Sequence, residues 1–349
     1  MMGRIYTTMI LVYVLTLAHT ASAQVTDVDV TTAQTLRPTE ITDSRDPRSF
    51  RTMRRKYGIP EPDSGYTIRA GEDPNLIYKR ARPFPEMGLE GAGPLLLFNG
   101  PTTHSGVKRV EAWRFNWPWP PPDKGSVPER ERQNLWSWDV PKPLQMRWWT
   151  EANGDGADRY WALCLYSGNT PTADIPAEPE DPQLFYFDTL SGLRWQATIP
   201  VRKTLESGRT PPRAYAGNTQ VLLGIADGSR VLALVSRPDK HASLLYVFDG
   251  KGKLLRTLRF PDYTALWSGN PPWQLRRSPS GRTHLLYLRR SLGEDADESC
   301  LIDSDGRLLA RFVSDEGKSV HVTQLSDKYV LADRQRPDGD YWQYIYQLP

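Results

Sequence analysis

A turn-and-strand unit recurs along the second half of the chain, and this repeat restricts the fold more than any other feature of the sequence. A strand, a tight turn and a second strand occur around Asp249 and again around Asp303, 54 positions later. An earlier turn glycine, Gly228, precedes its counterpart Gly281 by 53 positions. Two independent landmarks therefore indicate one period, and a period of this length holds four short strands.

Four antiparallel strands at such a period are typical of a β-propeller blade, a small sheet that buries its faces only against neighbouring blades. Four copies can be traced over residues 144–349, and the most divergent copy runs from Met146 to Trp195. The sequence therefore predicts an all-β, propeller-like fold with four traceable four-stranded blades and room for more. A β-sandwich stays open as the alternative fold, because four partial repeats are few.

The last copy of the repeat is one strand short. It predicts strands over 320–325, 329–332 and 342–348, and no fourth strand follows. A sheet that lacks a strand leaves unpaired backbone groups along its edge, and a strand from elsewhere in the chain can pair with them. We therefore expect an N-terminal strand to close the propeller, and we place it between residues 65 and 116.

Composition agrees with this class of fold and excludes several others. The 349 residues include 30 prolines and 26 glycines, which disfavours long helices, while 12 Trp, 16 Tyr and 9 Phe residues provide apolar area for a core. A formal net charge of +3 is too small for a dedicated nucleic-acid binder, so we expect no nucleic-acid partner. The two cysteines, Cys164 and Cys300, lie in apolar runs and are interpreted as buried free thiols, with a disulfide between them as the alternative.

Residues 1–23 have the three parts of a secretory signal peptide. Arg4 provides the positive charge, a short apolar run follows, and Ala21-Ser-Ala23 is typical of a cleavage site. The apolar run is too short to cross a bilayer as a single helix, although a membrane anchor is the alternative. We therefore predict an exported protein, secreted or periplasmic, that keeps no transmembrane anchor after cleavage.

Two regions precede the repeats and differ from them in composition. Residues 24–60 form a polar basic arm with six Arg and Lys residues between positions 45 and 56, which we interpret as a solvated face; an acidic partner surface is the alternative. Residues 61–143 form a Pro/Trp-rich, irregular β region. Its run Trp117-Pro-Trp-Pro-Pro-Pro122 excludes a helix at that point.

Seven tryptophans fall within 37 residues of the Pro/Trp-rich region and the start of the repeats. Exposed aromatic rings are platforms for sugar rings and other flat apolar ligands. We predict ligand binding by Trp113, Trp117, Trp119, Trp136 and Trp138. The alternative is that the rings pack onto the propeller, since Trp136 and Trp138 alternate as in a half-buried strand.

Residues 151–158 read Glu-Ala-Asn-Gly-Asp-Gly-Ala-Asp, with oxygen-bearing side chains around a glycine turn. Such oxygens are the ligands that a hard cation such as calcium prefers. The segment resembles the calcium loops of FG-GAP repeats in integrin-type β-propellers. The resemblance implies a calcium ion held by Glu151, Asn153, Asp155 and Asp158. A plain hairpin is the alternative, because Asn-Gly and Asp-Gly are common turn dipeptides.

Motifs of enzymes are scarce in this sequence. It contains no phosphate-binding glycine loop, no nucleophile elbow and no pair of histidines at metal-ligand spacing. We therefore expect a non-catalytic binding or interaction module for a protein partner or a glycan, with calcium as its one candidate cofactor and no catalytic residue assigned. A carbohydrate-active hydrolase of the propeller type is the alternative, and it requires two carboxylates about 5–10 Å apart near the axis.

Overall fold

The computed structural model of the chain contains twenty-four strands within the residues that it describes. These residues are 25–43, 52–53, 55–58, 67–69, 76–79, 95–99, 106–115, 132–145, 147–153, 159–166, 181–206, 219–226, 230–237, 242–265, 275–290, 297–335, 339 and 341–348. Helical structure within them is short: the 3-10 turns Val30–Thr32 and Lys142–Leu144, the helix Val201–Glu206, and residues 52–53 and 55–56. None of these helices is long and apolar enough to cross a membrane.

Five sheets follow one another along the chain, and we call them blades 1 to 5. Blade 1 contains β4 (Thr67–Arg69), β5 (Leu76–Lys79), β6 (Leu95–Asn99), β7 (Arg109–Phe115) and β8 (Arg132–Asp139). Blade 2 contains β9 (Trp148–Asn153), β10 (Tyr160–Tyr166), β11 (Gln183–Asp188) and β12 (Gly192–Thr198). Blade 3 contains β13 (Gln220–Ala226), β14 (Arg230–Arg237), β15 (Ala242–Phe248) and β16 (Leu254–Pro261).

Blades 4 and 5 are built in the same antiparallel way. Blade 4 contains β17 (Tyr263–Ala265), β18 (Arg276–Arg277), β19 (Thr283–Arg290), β20 (Asp297–Asp303) and β21 (Leu308–Phe312), with β17 and β18 both paired to β19. Blade 5 contains β22 (His321–Leu325), β23 (Tyr329–Gln335) and β24 (Tyr341–Gln347). Three N-terminal strands join the last three blades: β1 (Val25–Asp27), β2 (Gln34–Leu36) and β3 (Glu40–Asp43).

The blades pack face to face in chain order, and a separate apolar cluster fills each described interface. Central strands are buried on both faces, so all seven residues of β15 are buried. Phe185 and Phe187 lie between blades 1 and 2, and Leu245 and Leu286 between blades 3 and 4. First strands of neighbouring blades contact each other, as β9 and β13 do, which is the position next to a propeller axis. The prediction of an all-β, propeller-like fold is confirmed, with five sheets rather than the two of a sandwich.

Residues 25–43, which we call the N-terminal belt, run along the outer edges of blades 3, 4 and 5. In this belt β1 pairs in parallel with β16, β2 pairs in parallel with β21, and β3 pairs antiparallel with β24. The last blade is therefore completed by an N-terminal strand, as predicted. The predicted position of that strand between residues 65 and 116 is wrong, because the strands described in that range pair with one another in blade 1.

The hairpins between the third and fourth strands of blades 2, 3 and 4 share one side-chain contact. Oδ1 of Asp249 accepts hydrogen bonds from the backbone N–H groups two and four positions ahead, at 2.8 and 2.9 Å. Asp303 makes the same two contacts at 2.9 and 2.8 Å, and Asp188 makes the first of them at 2.9 Å. These bonds satisfy backbone donors that the turn leaves unpaired, which explains why aspartate marks the repeat.

A glycine with positive φ follows the aspartate in each of these hairpins and packs against the preceding blade. A Cβ built on Gly252 (φ +81°) would lie 2.8 Å from the ring of Trp195 in β12. A Cβ on Gly306 (φ +75°) would lie 3.0 Å from Val247 in β15. The glycines therefore serve two purposes, since they allow the left-handed turn and the close approach of two blades.

Replacing Gly252 with alanine is expected to lower the free energy of unfolding by about 3–4 kcal/mol, since it adds about 1–2 kcal/mol of backbone strain to the cost of overpacking against Trp195. Gly317→Ala is the matched control, because Gly317 has φ +76° and no atom within 4 Å of its Cβ position. In this control, the free energy of unfolding is expected to fall only by the backbone strain of about 1–2 kcal/mol. Equal losses for the two variants in urea unfolding would show that the contact with Trp195 does not matter.

Both cysteines are buried and free, as their apolar surroundings indicated. Cys164 lies in the cluster between blades 2 and 3, and Cys300 lies in the cluster between blades 3 and 4. Burial raises the pKa of each thiol well above its usual range. The two thiols therefore act as small apolar side chains in two different interfaces.

Candidate functional site

Two of the five tryptophans predicted to bind a ligand, Trp136 and Trp138, lie in the interface between blades 1 and 2. Both belong to β8, and the ring of Trp136 stacks on Phe187 with centroids 5.6 Å apart. Trp138 lies 4.8 Å from Phe185, centroid to centroid. Nε1 of Trp136 donates a 2.8 Å hydrogen bond to the Thr189 carbonyl of blade 2. For these two rings, the contacts therefore agree with the alternative interpretation, in which the tryptophans pack onto the propeller.

Trp113 lies on the opposite face of blade 1. Val110 pairs with Trp138 and Ala112 with Trp136, so these residues share the face that packs against blade 2. Trp113 pairs with Asn134 on the other face. The structure therefore separates the predicted tryptophans, while Trp117 and Trp119 lie outside the described residues and ligand binding by them stays a prediction.

A polar cluster, which we call the Glu111 cluster, surrounds Trp113 on that face. Glu111 is 8% exposed, and its carboxylate Oε2 accepts a 3.0 Å hydrogen bond from Nε1 of Trp113. Its Oε1 accepts from Ser137 Oγ at 3.1 Å and from Arg109 at 3.5 Å. Nδ2 of Asn134 donates to Ser137 Oγ at 3.1 Å. One nearly buried carboxylate thus holds an indole, a hydroxyl and a guanidinium in fixed positions.

Arg109 connects the cluster to the edge of the sheet. Its Nε donates a 2.6 Å hydrogen bond to Asp139, which lies opposite it in β8. This hydrogen bond is the main reason that the pKa of Arg109 is raised above its ordinary value. The Arg109 side chain is 45% exposed and that of Asp139 is 72% exposed, so solvent screens the pair strongly. We therefore infer that the pair orients the Arg109 side chain and adds little to the stability of the fold.

The described strands next to the axis carry few acidic side chains. The described first strands of blades 2 to 5 contain one carboxylate, that of Glu151 in β9. Glu151 is 3% exposed, and it lies opposite Leu163 on the face that packs against blade 1. Arg276 of β18 donates to the backbone carbonyls of Val322 and Thr323, so it connects blades 4 and 5. These side chains join blades rather than converge on one point.

The predicted calcium loop is described only in part. Glu151 is buried in β9, and Asn153 ends that strand. Asp155 and Asp158 lie outside the described residues. Within the described part of the chain, no group of three His, Cys, Asp or Glu side chains is arranged to hold a metal ion. Calcium binding by this loop stays a prediction.

Part of the basic arm packs on blade 5. Met53 is 2% exposed and contacts Leu331 and Ile345. Nζ of Lys56 lies 2.5 Å from Oε2 of Glu40, so the cation meets an acid of its own chain. Of the other basic residues of the arm, Arg37 and Arg55 are exposed, and the arginines at positions 45, 48, 51 and 54 lie outside the described residues, so the solvated-face interpretation stays a prediction for those four.

Glu111, Asn134 and Ser137 are not among the site residues predicted from the sequence. The signal was present, because Glu111 alternates with Arg109 and Trp113 along one strand and therefore shares a face with them. An acid between a cation and an indole at this spacing indicates a polar face. What sequence alone does not give is the register that places Asn134 and Ser137 of β8 beside them.

Comparisons with known proteins give distant similarities only. No protein-family model matches the chain, and no curated protein matches it. An exo-β-1,3-galactanase from Phanerochaete chrysosporium superposes with a TM-score of 0.32 at 10% identity, covering 74% of this chain and 60% of that one. A GH43 β-1,3-galactosidase gives 0.32 at 10% identity, covering 82% of this chain and 94% of that one.

A third solved structure, oligopeptidase B from Trypanosoma brucei, gives a TM-score of 0.38 at 10% identity, covering 77% of this chain and 36% of that one. The present chain therefore spans about 60% of the galactanase and about a third of the peptidase. Similarities of this size assign no activity. With no family model to support it, the likeness of residues 151–158 to FG-GAP loops stays a resemblance.

Proposed function

We propose that this protein is an exported, non-catalytic glycan-binding module on a β-propeller scaffold, with its binding surface at the Glu111 cluster. The observation that carries the proposal is the 3.0 Å hydrogen bond by which Glu111 fixes the indole of Trp113. Sugars are bound by an aromatic ring together with planar polar groups that exchange hydrogen bonds with hydroxyls. The cluster contains a carboxylate, an amide, a guanidinium and a hydroxyl beside such a ring.

Fixed geometry supports binding at this face. A ring that is already held in one orientation loses little rotamer freedom when a ligand arrives, so more of the contact energy remains as affinity. Asn134 and Ser137 are exposed, while Glu111 is nearly buried and holds the groups around it. The exposed amide and hydroxyl are therefore the groups that we assign to hydrogen bonds with the sugar.

Export is the second part of the proposal. It is supported by the signal-peptide pattern of residues 1–23 and by the start of β1 at Val25, two positions after the predicted cleavage site at Ala23. Cleavage there would leave the whole N-terminal belt in the mature chain. The belt is part of three blades, so the mature protein would retain the strands that complete them.

An array of immobilised oligosaccharides tests the proposal directly. We expect the wild-type protein to bind at least one glycan, and Trp113→Ala to weaken that binding about tenfold, because a stacked ring contributes about 0.5–1.5 kcal/mol beyond the area that it buries. Trp342→Ala is the control, since Trp342 is a half-buried tryptophan of blade 5. It is expected to bind as the wild type does.

Three results would contradict this proposal. Binding that is unchanged in Trp113→Ala would exclude the Glu111 cluster as the site, and an array with no bound glycan would exclude the activity. Release of reducing sugar from a polysaccharide, lost in Glu151→Gln, would favour the hydrolase instead. Glu151 is the acid to replace because it is the carboxylate on the described first strands of blades 2 to 5.

A further inference from the structure

The register of blade 1 shows which side chains share the face that holds the Glu111 cluster. Arg109 pairs with Asp139 and Trp113 pairs with Asn134, so these four residues lie on that face. Pairing places six residues of β4, β5 and β6 on the same face, all of them uncharged: Ile68, Leu76, Tyr78, Leu95, Leu97 and Asn99. Within the described strands of blade 1, the charges on this face therefore come from β7 and β8.

These charges are unevenly distributed along the two strands. Arg109, Glu111 and Asp139 lie together at one end of the face. Arg132 begins β8 at the other end, seven positions before Asp139 and therefore roughly 20 Å from it. That separation exceeds the distance of about 8 Å over which salt screens exposed charges. The end of the face that holds Ser137 thus carries one cation and two carboxylates among the described residues.

The guanidinium of Arg109 is bound from two sides by acids of its own chain. Its Nε donates a 2.6 Å hydrogen bond to Oδ1 of Asp139, and an Nη donates a 3.5 Å hydrogen bond to Oε1 of Glu111. An arginine binds the carboxylate of a ligand best when two N–H groups can donate to it side by side. A ligand carboxylate would here meet a cation that two acids already neutralise, with one negative charge in excess.

We infer that the glycan bound at the Glu111 cluster is uncharged, and that Asp139 sets this specificity by holding and neutralising Arg109. The inference rests on the proposed glycan binding and adds the substrate class to it. A neutral sugar meets the exposed hydroxyl of Ser137 and the exposed amide of Asn134. A uronic acid brings a carboxylate to within about 5–6 Å of the excess negative charge, which is expected to weaken its binding about fivefold to tenfold.

The probes are neutral tetrasaccharides and their uronic acid counterparts, immobilised on one array. The three pairs are mannotetraose with tetramannuronic acid, cellotetraose with tetraglucuronic acid, and galactotetraose with tetragalacturonic acid. We expect the full-length wild type to bind at least one neutral member, and to bind the acidic member of that pair about fivefold to tenfold more weakly.

Asp139→Asn removes the excess charge and keeps an oxygen for Arg109, so we expect it to abolish the preference for the neutral member of each pair. The gain in acidic binding should be lost again when Arg109→Gln is added, since the freed guanidinium is its source. Asp297→Asn is the matched control, because Asp297 pairs across two strands of blade 4 with Arg289, at 2.9 Å and with both side chains about half exposed. It should keep the wild-type preference.

Added sodium chloride is expected to weaken acidic binding by Asp139→Asn and to leave neutral binding by the wild type unchanged. Equal or stronger wild-type binding of the acidic members, including binding that Arg132→Gln removes, would overturn the inference. An unchanged preference in Asp139→Asn would overturn it as well. If the wild type still binds a neutral member in these cases, the proposed function stands, whereas an array on which no tetrasaccharide is bound would overturn both.

Discussion

Deletion of residues 24–43 is expected to abolish the cooperative unfolding transition of this protein. The deletion removes the strand that completes blade 5 and the two parallel strands on blades 3 and 4. It also removes Val30, which is fully buried in the cluster between blades 3 and 4 and is worth about 2 kcal/mol by itself. Because a blade depends on its neighbours to bury its faces, damage to three consecutive blades spreads beyond the edge.

Single substitutions within the belt measure how much each of its contacts contributes to stability. Val30→Ala is expected to lower the free energy of unfolding by about 2 kcal/mol while it keeps the transition cooperative. Asp27→Ala removes the pair with Arg259, whose side chains are 55% and 40% exposed, so it should cost less than about 1 kcal/mol. Urea unfolding followed by circular dichroism measures all three chains. A truncated chain with the wild-type midpoint and slope would exclude the belt as a structural element.

The repeated blades were accessible from sequence because their landmark is local chemistry. Asp249 and Asp303 bond backbone groups within four positions, so the signal is contained in a few consecutive residues. Blade 1 lacks this landmark: residues 116–131 precede its outer strand β8, whereas short hairpins, residues 189–191, 249–253 and 304–307, precede the fourth strands of blades 2, 3 and 4. Its five strands therefore do not follow the 53–54-residue period that revealed the other four blades.

The belt strands escaped the sequence analysis for a different reason. Strands β1 to β3 are three or four residues long and largely polar, so they show no hydrophobic alternation. Their partners lie far away in the chain: Asp27 and Arg259 are 232 positions apart. Pairing over such a distance is decided by the register of whole sheets, which local patterns do not contain.

Strand register, which local sequence patterns do not contain, also decides how the tryptophans are arranged. Alternation shows that Trp136 and Trp138 share a face, but only the pairing of β7 with β8 shows that Trp113 lies on the other face. A register shift between Ala112 and Trp113 places Asn134 opposite the indole. The ligand-binding prediction named Trp113 for its ring alone. The structure adds the carboxylate, amide and hydroxyl that make this ring a more specific candidate than Trp136 and Trp138.

Acidification from pH 7 to pH 5 is expected to lower the free energy of unfolding by about 2 kcal/mol through His284. This side chain is fully buried between blades 3 and 4, beside Gly224, and burial lowers its pKa to about 3, with the nearby Arg277 adding to the effect. Nε2 lies 3.2 Å from the Ile225 carbonyl, so the neutral ring carries its proton there. Within the described residues Nδ1 has no hydrogen-bond partner that would stabilise a second proton.

Proton linkage determines the direction of this change in stability with pH. The unfolded chain binds a proton on His284 below about pH 6.5, whereas the folded chain does not bind one until about pH 3. Stability is therefore complete above the unfolded pKa and is lost as the pH falls towards 3, by about 1.4 kcal/mol per pH unit. His284→Gln keeps a donor for Ile225 and does not titrate, so its urea midpoint should change much less between pH 7 and 5.

His321→Gln is the matched control, because it removes an exposed histidine and its contact with Asp333 but leaves His284 in place, so this variant should still lose stability as the pH falls. The window above pH 5 excludes Asp27, Glu40 and Asp327, whose lowered pKa values confine their own contribution to more acidic solutions. If His284→Gln loses stability with falling pH as steeply as the wild type, the acid sensitivity arises elsewhere. If the stability of His284→Gln alone stays constant between pH 7 and pH 5, the acid sensitivity arises at the interface of blades 3 and 4, where Gly224 leaves room for the His284 ring.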